Sequence, residues 1–231
     1  MANLVIFRHA ESIYGNKRYA GVVDIPLSNA GILQASALSE YARNFSPDIV
    51  YTSKLVRTTE TALMMLRAMD KTVVRVGVGD LDSMINTSGF LPFVELSELN
   101  ERNYGVLQNK TKDQVLEIYS PKQIQEWRRG FNGMPPEGEN FCSVIERTNE
   151  FIKKYIFPYI DVHNILIVAH QNTMRAFFYL LLNKLPHEIE KIEFRNCEGI
   201  EFTIVDGHVE KVNVLKDIGG TKYADLHRGV D

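Results

Sequence analysis

The stretch Leu4-Val5-Ile6-Phe7-Arg8-His9-Ala10-Glu11-Ser12 decides how the chain is read. Four apolar residues run into an Arg-His pair and then into polar, Gly-containing sequence, which is the pattern of a short buried strand. In an open α/β sheet, ligands collect in the crevice beyond the carboxyl ends of the strands, and His9 stands at such an end with Arg8 beside it. A neutral imidazole is a competent nucleophile, and a fixed cation beside it draws in an anionic group to attack. Phosphate is the expected target. A solvated strand end has the same local appearance, so the weight falls on the rest of the chain.

The stretch Ile165-Leu166-Ile167-Val168-Ala169 repeats the pattern near the other end of the sequence. It is an apolar strand ending in His170, with Asn172 two residues later and a helix expected from Thr173 to about Asn183. Two strands of one sheet that each end in His make a shared site the stronger reading. Ile49-Val50-Tyr51 is a further strand, followed by a helix from Leu55 to about Met69 for which Thr52 and Ser53 are candidate N-caps. Arg57 falls in its first turn, where a cation opposes the helix dipole. It either pairs with Glu60 on a solvated face or serves an anion site at the same sheet edge as His9, and the second reading is preferred.

The remaining segments fill in an α/β pattern. Between Phe7 and Ser28 lies a long polar loop with Asn16, Lys17, Arg18 and Gly21, of a length that is usually functional or disordered. Ser28 opens a helical pattern carrying Ile32, Ala35, Leu38 and Ala42, and Pro47 ends it. Val73–Val76 reads as a strand, whereas Gly, Ser and Pro leave the region up to Leu96 without an assignment. Glu98–Gly105 is densely polar, with two candidate acids. Thr111 is an expected N-cap for a helix to Tyr119 that starts with Lys112. The helix from Gln123 ends in Arg128-Arg129-Gly130, where the two cations either complement the helix C-terminus or bind ligand. Asn140 is an expected cap for a helix to about Tyr159. Asp206-Gly207 between two alternating runs, Ile200–Val205 and His208–Leu215, is a hairpin signal. The fold class expected is α/β, with a mostly parallel central sheet flanked by helices and a late antiparallel hairpin.

At 231 residues the chain can bury one sizeable core. A hydrophobic content of 45%, a charged content of 24% and a net charge of −3 describe an ordinary globular protein without the basic excess of a nucleic-acid binder. Cys142 and Cys197 are too few for a disulfide framework, and no Cys/His cluster has zinc spacing. Met1-Ala2-Asn3 lacks the basic region of a signal peptide, and the longest apolar run, Ala176–Leu182, is too short to span a bilayer. The expectation is a cytoplasmic protein with neither membrane nor nucleic-acid partner.

Four motifs in order then resemble one family. Arg8-His9-Ala10-Glu11-Ser12 is similar to the Arg-His-Gly motif of the histidine phosphatase superfamily. Leu99–Gly105 with Leu107-Gln108, and Trp127–Phe131 followed by Pro135-Pro136, resemble its cofactor-dependent phosphoglycerate mutases. Ala169–Arg175 resembles that family's Ala-His-Gly-Asn-Ser-Leu-Arg. The resemblance covers roughly residues 4–205 and implies a single domain over residues 1–216, followed by a polar tail, 217–231, expected to be poorly ordered.

The resemblance also implies roles. His9 would accept the phosphoryl group, Arg8, Arg57 and His170 would surround it, and Glu101 would donate and accept the proton. Arg102, Tyr104, Lys112, Arg128 and Arg129 would bind the rest of the substrate, with Asn16, Gly21, Gln171 and Asn172 as further contacts. The implied reaction interconverts 3-phosphoglycerate and 2-phosphoglycerate in glycolysis and gluconeogenesis. It would be primed by 2,3-bisphosphoglycerate, without a metal, in a homodimer or homotetramer. A metal-independent histidine phosphatase acting on small phosphomonoesters is the alternative, and a noncatalytic phosphometabolite-binding protein a third. Both are motivated by departures from the motif: Ala10 and Gln171 replace glycines, Gly15 holds the position of an Asn that comes one later as Asn16, and Ala20 replaces a Thr. The segment between Pro136 and Glu139 lacks the long insertion of many family members, which resembles the shorter mutases.

Overall fold

A computed structural model describes residues 2–216; the tail read as 217–231 lies outside the described residues. Seven strands form one sheet: β1 (Asn3–Arg8), β2 (Ile49–Thr52), β3 (Thr72–Arg75), β4 (Phe90–Glu95), β5 (Ile165–Ala169), β6 (Gly199–Val205) and β7 (His208–Leu215). Their order across the sheet is β3-β4-β2-β5-β1-β6-β7. The first five are mutually parallel, and β6 and β7 close the sheet as an antiparallel hairpin. The Asp206-Gly207 turn places both residues at positive φ, 50° and 76°, as a tight hairpin turn requires.

The central strands read as unbroken apolar runs because both of their faces are covered. Leu4, Ile6, Ile165 and Ile167 point into one core, with Phe151 and Phe177. Val5, Phe7, Leu166 and Val168 point into the other, with Leu38, Ala62 and Met65. The first core is covered by helices α7 (Phe141–Phe151) and α8 (Gln171–Leu182), and the second by α2 (Ser39–Phe45) and α3 (Val56–Leu66), with α1 (Asn29–Ala37) packed against α3. Shorter helices complete the chain: α4 (Leu81–Ile85), α5 (Lys112–Leu116), α6 (Pro121–Arg129) and α9 (Pro186–Ile189). Asn164 ties the opposite edge of the sheet together, accepting from Asn3 N at 3.0 Å, while its own N–H donates to Asp48 Oδ2 at 3.0 Å.

Several local expectations hold, and several change. Thr111 and Gln114 form a reciprocal capping box on α5, and Asn140 caps α7. However, α5 ends at Leu116, and Leu38 breaks the first helical run into α1 and α2. Helix α3 starts after Leu55, and neither Thr52 nor Ser53 caps it. Its Val56 N–H instead donates to Asp24 Oδ1, 2.6 Å away on the long loop. The region left unassigned contains β4. Its Pro92 pairs with Val74, whereas pairing with β2 begins only at Phe93. The proline thus lies in the half of β4 that has a neighbour on one side, where a missing N–H is tolerated.

Gly105 lies at φ +50°, and a Cβ there would come within 2.0 Å of Pro136 O and 2.6 Å of Gly138 N. Gly105→Ala is expected to lower unfolding free energy by at least about 1–2 kcal/mol, whereas Gly79→Ala, with nothing within 4 Å and no positive φ, should be close to neutral. Urea denaturation midpoints of the two variants check this; equal midpoints would refute the packing assigned to Gly105.

Candidate active site

The β1–β5 register pairs Arg8 with Ala169, so His9 and His170 leave neighbouring strands side by side. Their ring centroids are 5.0 Å apart at 60°. His9 Nδ1 lies 2.7 Å from Ala10 O. A carbonyl only accepts, so the ring proton sits on Nδ1 and Nε2 keeps its lone pair. Burial, reinforced by Arg57 and Arg8, holds the His9 pKa well below the ordinary histidine value. His170 is lowered by burial first and then by Arg57, His9, Arg147 and Arg8. Both rings are therefore neutral at pH 7.

His170 Nε2 meets Ser53 Oγ at 2.8 Å, and Ser53 Oγ meets Thr58 Oγ1 at 2.7 Å. This fixes the second ring from the start of the β2–α3 connection. Arg57, on the first turn of α3, does not pair with Glu60. It donates to Gly21 O and Val23 O, each at 2.8 Å, while Glu60 accepts from Leu27 N. Arg8 donates to Phe194 O at 2.5 Å. Burial lowers the pKa of both guanidiniums, that of Arg57 to about 10. Arg8 Nε, Arg57 Nε and His170 Nδ1 are buried with no hydrogen-bond partner among the described residues. Orphaned donors of this kind in a native fold call for an acceptor.

Glu101 follows a short turn after β4 and is 8% exposed. Its Oε1 accepts from Arg102 N at 2.8 Å and from the backbone and side-chain N–H groups of Asn172 at 3.2 and 3.0 Å. The first turn of α8 thus orients the carboxylate. Asn172 also donates to Tyr104 Oη at 3.0 Å. Arg102 is fully buried, donates to Trp127 O and lies 4.8 Å from the Tyr104 ring centroid. It supports the Tyr104 wall and does not itself line the cavity.

These groups border a cavity of about 520 Å³. Among the described residues its lining includes eight Arg or Lys side chains against three Glu, an anion-attracting excess in a chain of net charge −3. Of the residues singled out from sequence, Arg8, His9, Asn16, Gly21, Arg57, Glu101, Tyr104, Lys112, Arg128, Arg129, Gln171 and Asn172 line it; His170 lies behind His9, fully buried, as Arg102 lies behind Tyr104. Burial, and then Arg128, Arg102 and Arg8 among its neighbours, lower the Arg129 pKa.

Arg175 is the main residue that sequence reading passed over. It lines the cavity, donates to Asn172 Oδ1 at 3.1 Å and to Ile189 O at 2.8 Å, and burial lowers its pKa to about 10. The signal was present: it stands one helical turn after Asn172, on the same face. Ser53 was read only as a cap. Of the motif departures, Ala10 is fully buried and its N–H donates to Thr61 Oγ1 at 3.0 Å, so a Cβ is accommodated. The Gln171 side chain leaves the cavity for the segment 192–194, donating to Ile192 O and accepting from Phe194 N, both at 2.9 Å. Gly15 and Asn16 both border the cavity from the exposed part of the long loop.

No group of three or more His, Cys, Asp or Glu among the described residues is disposed to hold a metal ion, and none of their helices is long and apolar enough to cross a membrane. The model of the histidine phosphatase superfamily (branch 1) matches residues 4–77 and 82–216. A 2,3-bisphosphoglycerate-dependent phosphoglycerate mutase of Methanosarcina acetivorans is 31% identical over 242 residues, covering 94% of this chain and 97% of the relative. One of Chlamydia muridarum is 34% identical over 211 residues, covering 87% and 93%. Among solved structures, the alpha-ribazole phosphatase of Shigella flexneri superposes with a TM-score of 0.74 at 21% identity, covering 96% of this chain and 100% of that one. A mycobacterial glucosyl-3-phosphoglycerate phosphatase gives 0.74 at 20% identity, with 93% and 98% covered. At these identities the two structures speak to the fold alone. A match that runs from the first strand to the last, joined to relatives above 30% identity over most of their length, makes the chain a member of the histidine phosphatase superfamily.

Proposed function

We propose that the protein is a phosphoglycerate mutase that interconverts 3-phosphoglycerate and 2-phosphoglycerate through a phosphohistidine at His9. The observation that carries this reading is the pairing of two anion-binding regions in one cavity. Arg8 and Arg57, each with an orphaned Nε, line the cavity with His9, His170 lies behind His9, and Lys112, Arg128, Arg129 and Arg175 line the same space. A simple phosphomonoesterase has no use for the second region, whereas a substrate with both a phosphate and a carboxylate needs it. The curated relatives of similar length support the same choice.

In the proposed mechanism His9, already phosphorylated, first passes its phosphoryl group to the free hydroxyl of the substrate, the P–N bond breaking as the new P–O bond forms. The freed Nε2 then attacks the other phosphorus of the doubly phosphorylated substrate, forming a P–N bond as that P–O bond breaks. Arg8, Arg57 and His170 stabilise charge on the equatorial oxygens. Glu101, in its protonated form, gives its proton to the departing alkoxide. In the preceding transfer it takes that proton from the substrate hydroxyl as the hydroxyl oxygen attacks the phosphoryl group on His9. When bound, 2,3-bisphosphoglycerate supplies the phosphoryl group that primes His9, and the donors just named fit one phosphate while the Arg128–Arg129 region fits another anion. The fixed cations provide the charge stabilisation, so the proposed reaction requires no metal.

A histidine phosphatase is the second reading, favoured by one observation: Arg129 already meets a carboxylate, that of Glu193. If that pair persists, the second region is weakened and water discharges His9.

Phosphorus NMR of 3-phosphoglycerate with a trace of 2,3-bisphosphoglycerate and a chelator separates the readings. Conversion to 2-phosphoglycerate that depends on the primer is expected; free phosphate alone would support the phosphatase, and no turnover with tight binding a noncatalytic binder. His9→Ala should reduce turnover by at least about 10³-fold and abolish acid-labile phosphoprotein; labelling that survives the substitution would overturn the role of His9. The pH profile follows from the shifts. A depressed His9 pKa keeps the ring of the free enzyme neutral, so the acid limb of kcat/KM should have its midpoint below the ordinary histidine value of 6.5. A steady-state profile with an acid midpoint at the ordinary histidine value would contradict the buried, neutral ring.

A further inference from the structure

The segment from Ile192 to Asn196 forms part of the cavity wall without belonging to a helix or strand, and its attachments are specific. Gln171 grips it on both sides of Glu193, through Ile192 O and Phe194 N at 2.9 Å each. Arg8 donates to Phe194 O at 2.5 Å, and Asn196 donates to His9 O at 2.8 Å. Between the two Gln171 contacts, the Glu193 side chain lines the cavity and forms an ion pair with Arg129. Among the described residues, none of Arg8, Arg57, Lys112, Arg128 or Arg175 meets a carboxylate in this way.

We propose that Glu193 is an internal counter-ion for Arg129, held in place by the Gln171 clamp, which the second anionic group of a substrate must displace to bind. The inference rests on the reading of Arg129 as part of a second anion subsite. Its chemistry is competition between two carboxylates for one guanidinium fork. The Glu193 side chain is 60% exposed and that of Arg129 31%, so the pair is solvated enough to open without stranding a buried charge. Glu193 thereby sets specificity. It weakens capture of substrates that carry a second anionic group while leaving phosphomonoesters without one unaffected, because these make no use of Arg129. Gln171, which stands where the family motif has glycine, acts as a positioning residue: its amide fixes the backbone on either side of the competing carboxylate.

The test is calorimetric titration of the full chain, carrying His9→Ala to prevent turnover, with and without Glu193→Gln. The two probes are 3-phosphoglycerate, with phosphate and carboxylate, and glycerol 3-phosphate, the same skeleton with a hydroxymethyl group in place of the carboxylate. Glu193→Gln should tighten 3-phosphoglycerate by about twofold to fivefold, the range expected for an exposed pair, and leave glycerol 3-phosphate unchanged. The gain should shrink at 0.5 M salt, where an exposed pair is already screened. An unchanged ratio of the two affinities, weaker binding of 3-phosphoglycerate, or an equal shift for both probes would overturn the proposal. Because the ratio is read without turnover, it stands apart from the assigned reaction. A shifted ratio without mutase turnover in the wild type would remove the mutase and keep the counter-ion, turnover with an unshifted ratio would do the reverse, and no binding of either probe would overturn both.

Discussion

The parallel pairing of β1 with β5 is the constraint on which the site depends. With Arg8 opposite Ala169, the next residue of each strand is a histidine, and the two rings face one another at the carboxyl edge of the sheet. A shift of one residue would turn the apolar side chains of a strand from one core to the other, and with both faces covered neither strand can slip. The register that satisfies the two cores is therefore the one that assembles the histidine pair. The bond from His9 N to Ala169 O, 2.9 Å, continues the ladder one step beyond the strands and locks His9 to it.

Placing cations at this edge has an electrostatic cost, and the chain meets it with backbone carbonyls. Arg57 satisfies Gly21 and Val23, Arg8 satisfies Phe194, and Arg175 satisfies Ile189. Arg57 and Arg8 thereby fix segments that border the cavity, at Gly21 and Phe194, so loop placement and charge placement are one event. The guanidinium donors left over on Arg8 and Arg57 are positive groups prepared before any anion arrives, with the neutral ring of His170 beside them. Such preorganisation stabilises charge that develops in phosphoryl transfer without reorganisation at the moment of reaction.

The same network explains why a motif departure does not empty the site. Gln171 carries a side chain where the family pattern has none, and that side chain joins α8 to the segment bearing Glu193. The phosphoryl end of the cavity, through Arg8 and Phe194, and the far end, through Glu193 and Arg129, are consequently attached to one short piece of backbone.

Short-range physics determined much of this from the sequence by itself. Continuous apolar runs marked β1 and β5, hydroxyl and amide caps marked α5 and α7, and Asp206-Gly207 marked the closing hairpin, because each depends on neighbours within a few residues. The strand-end histidines were legible for the same reason, as polar groups at the boundaries of such elements, whereas local sequence left two candidate acids and only the family resemblance singled out Glu101. Where the outcome depended on partners far along the chain, the tertiary structure decided. Pro92 is tolerated in β4 because pairing with β2 begins only at Phe93, Ser53 serves His170 rather than a helix end, and Arg102 backs Tyr104 from a buried position. Arg57 bonds to loop carbonyls 34 and 36 residues away, and Glu193 reaches an arginine 64 residues away. Periodicity and capping carry no information about such contacts, since only the closure of the sheet and the docking of the loops bring those side chains within reach of one another.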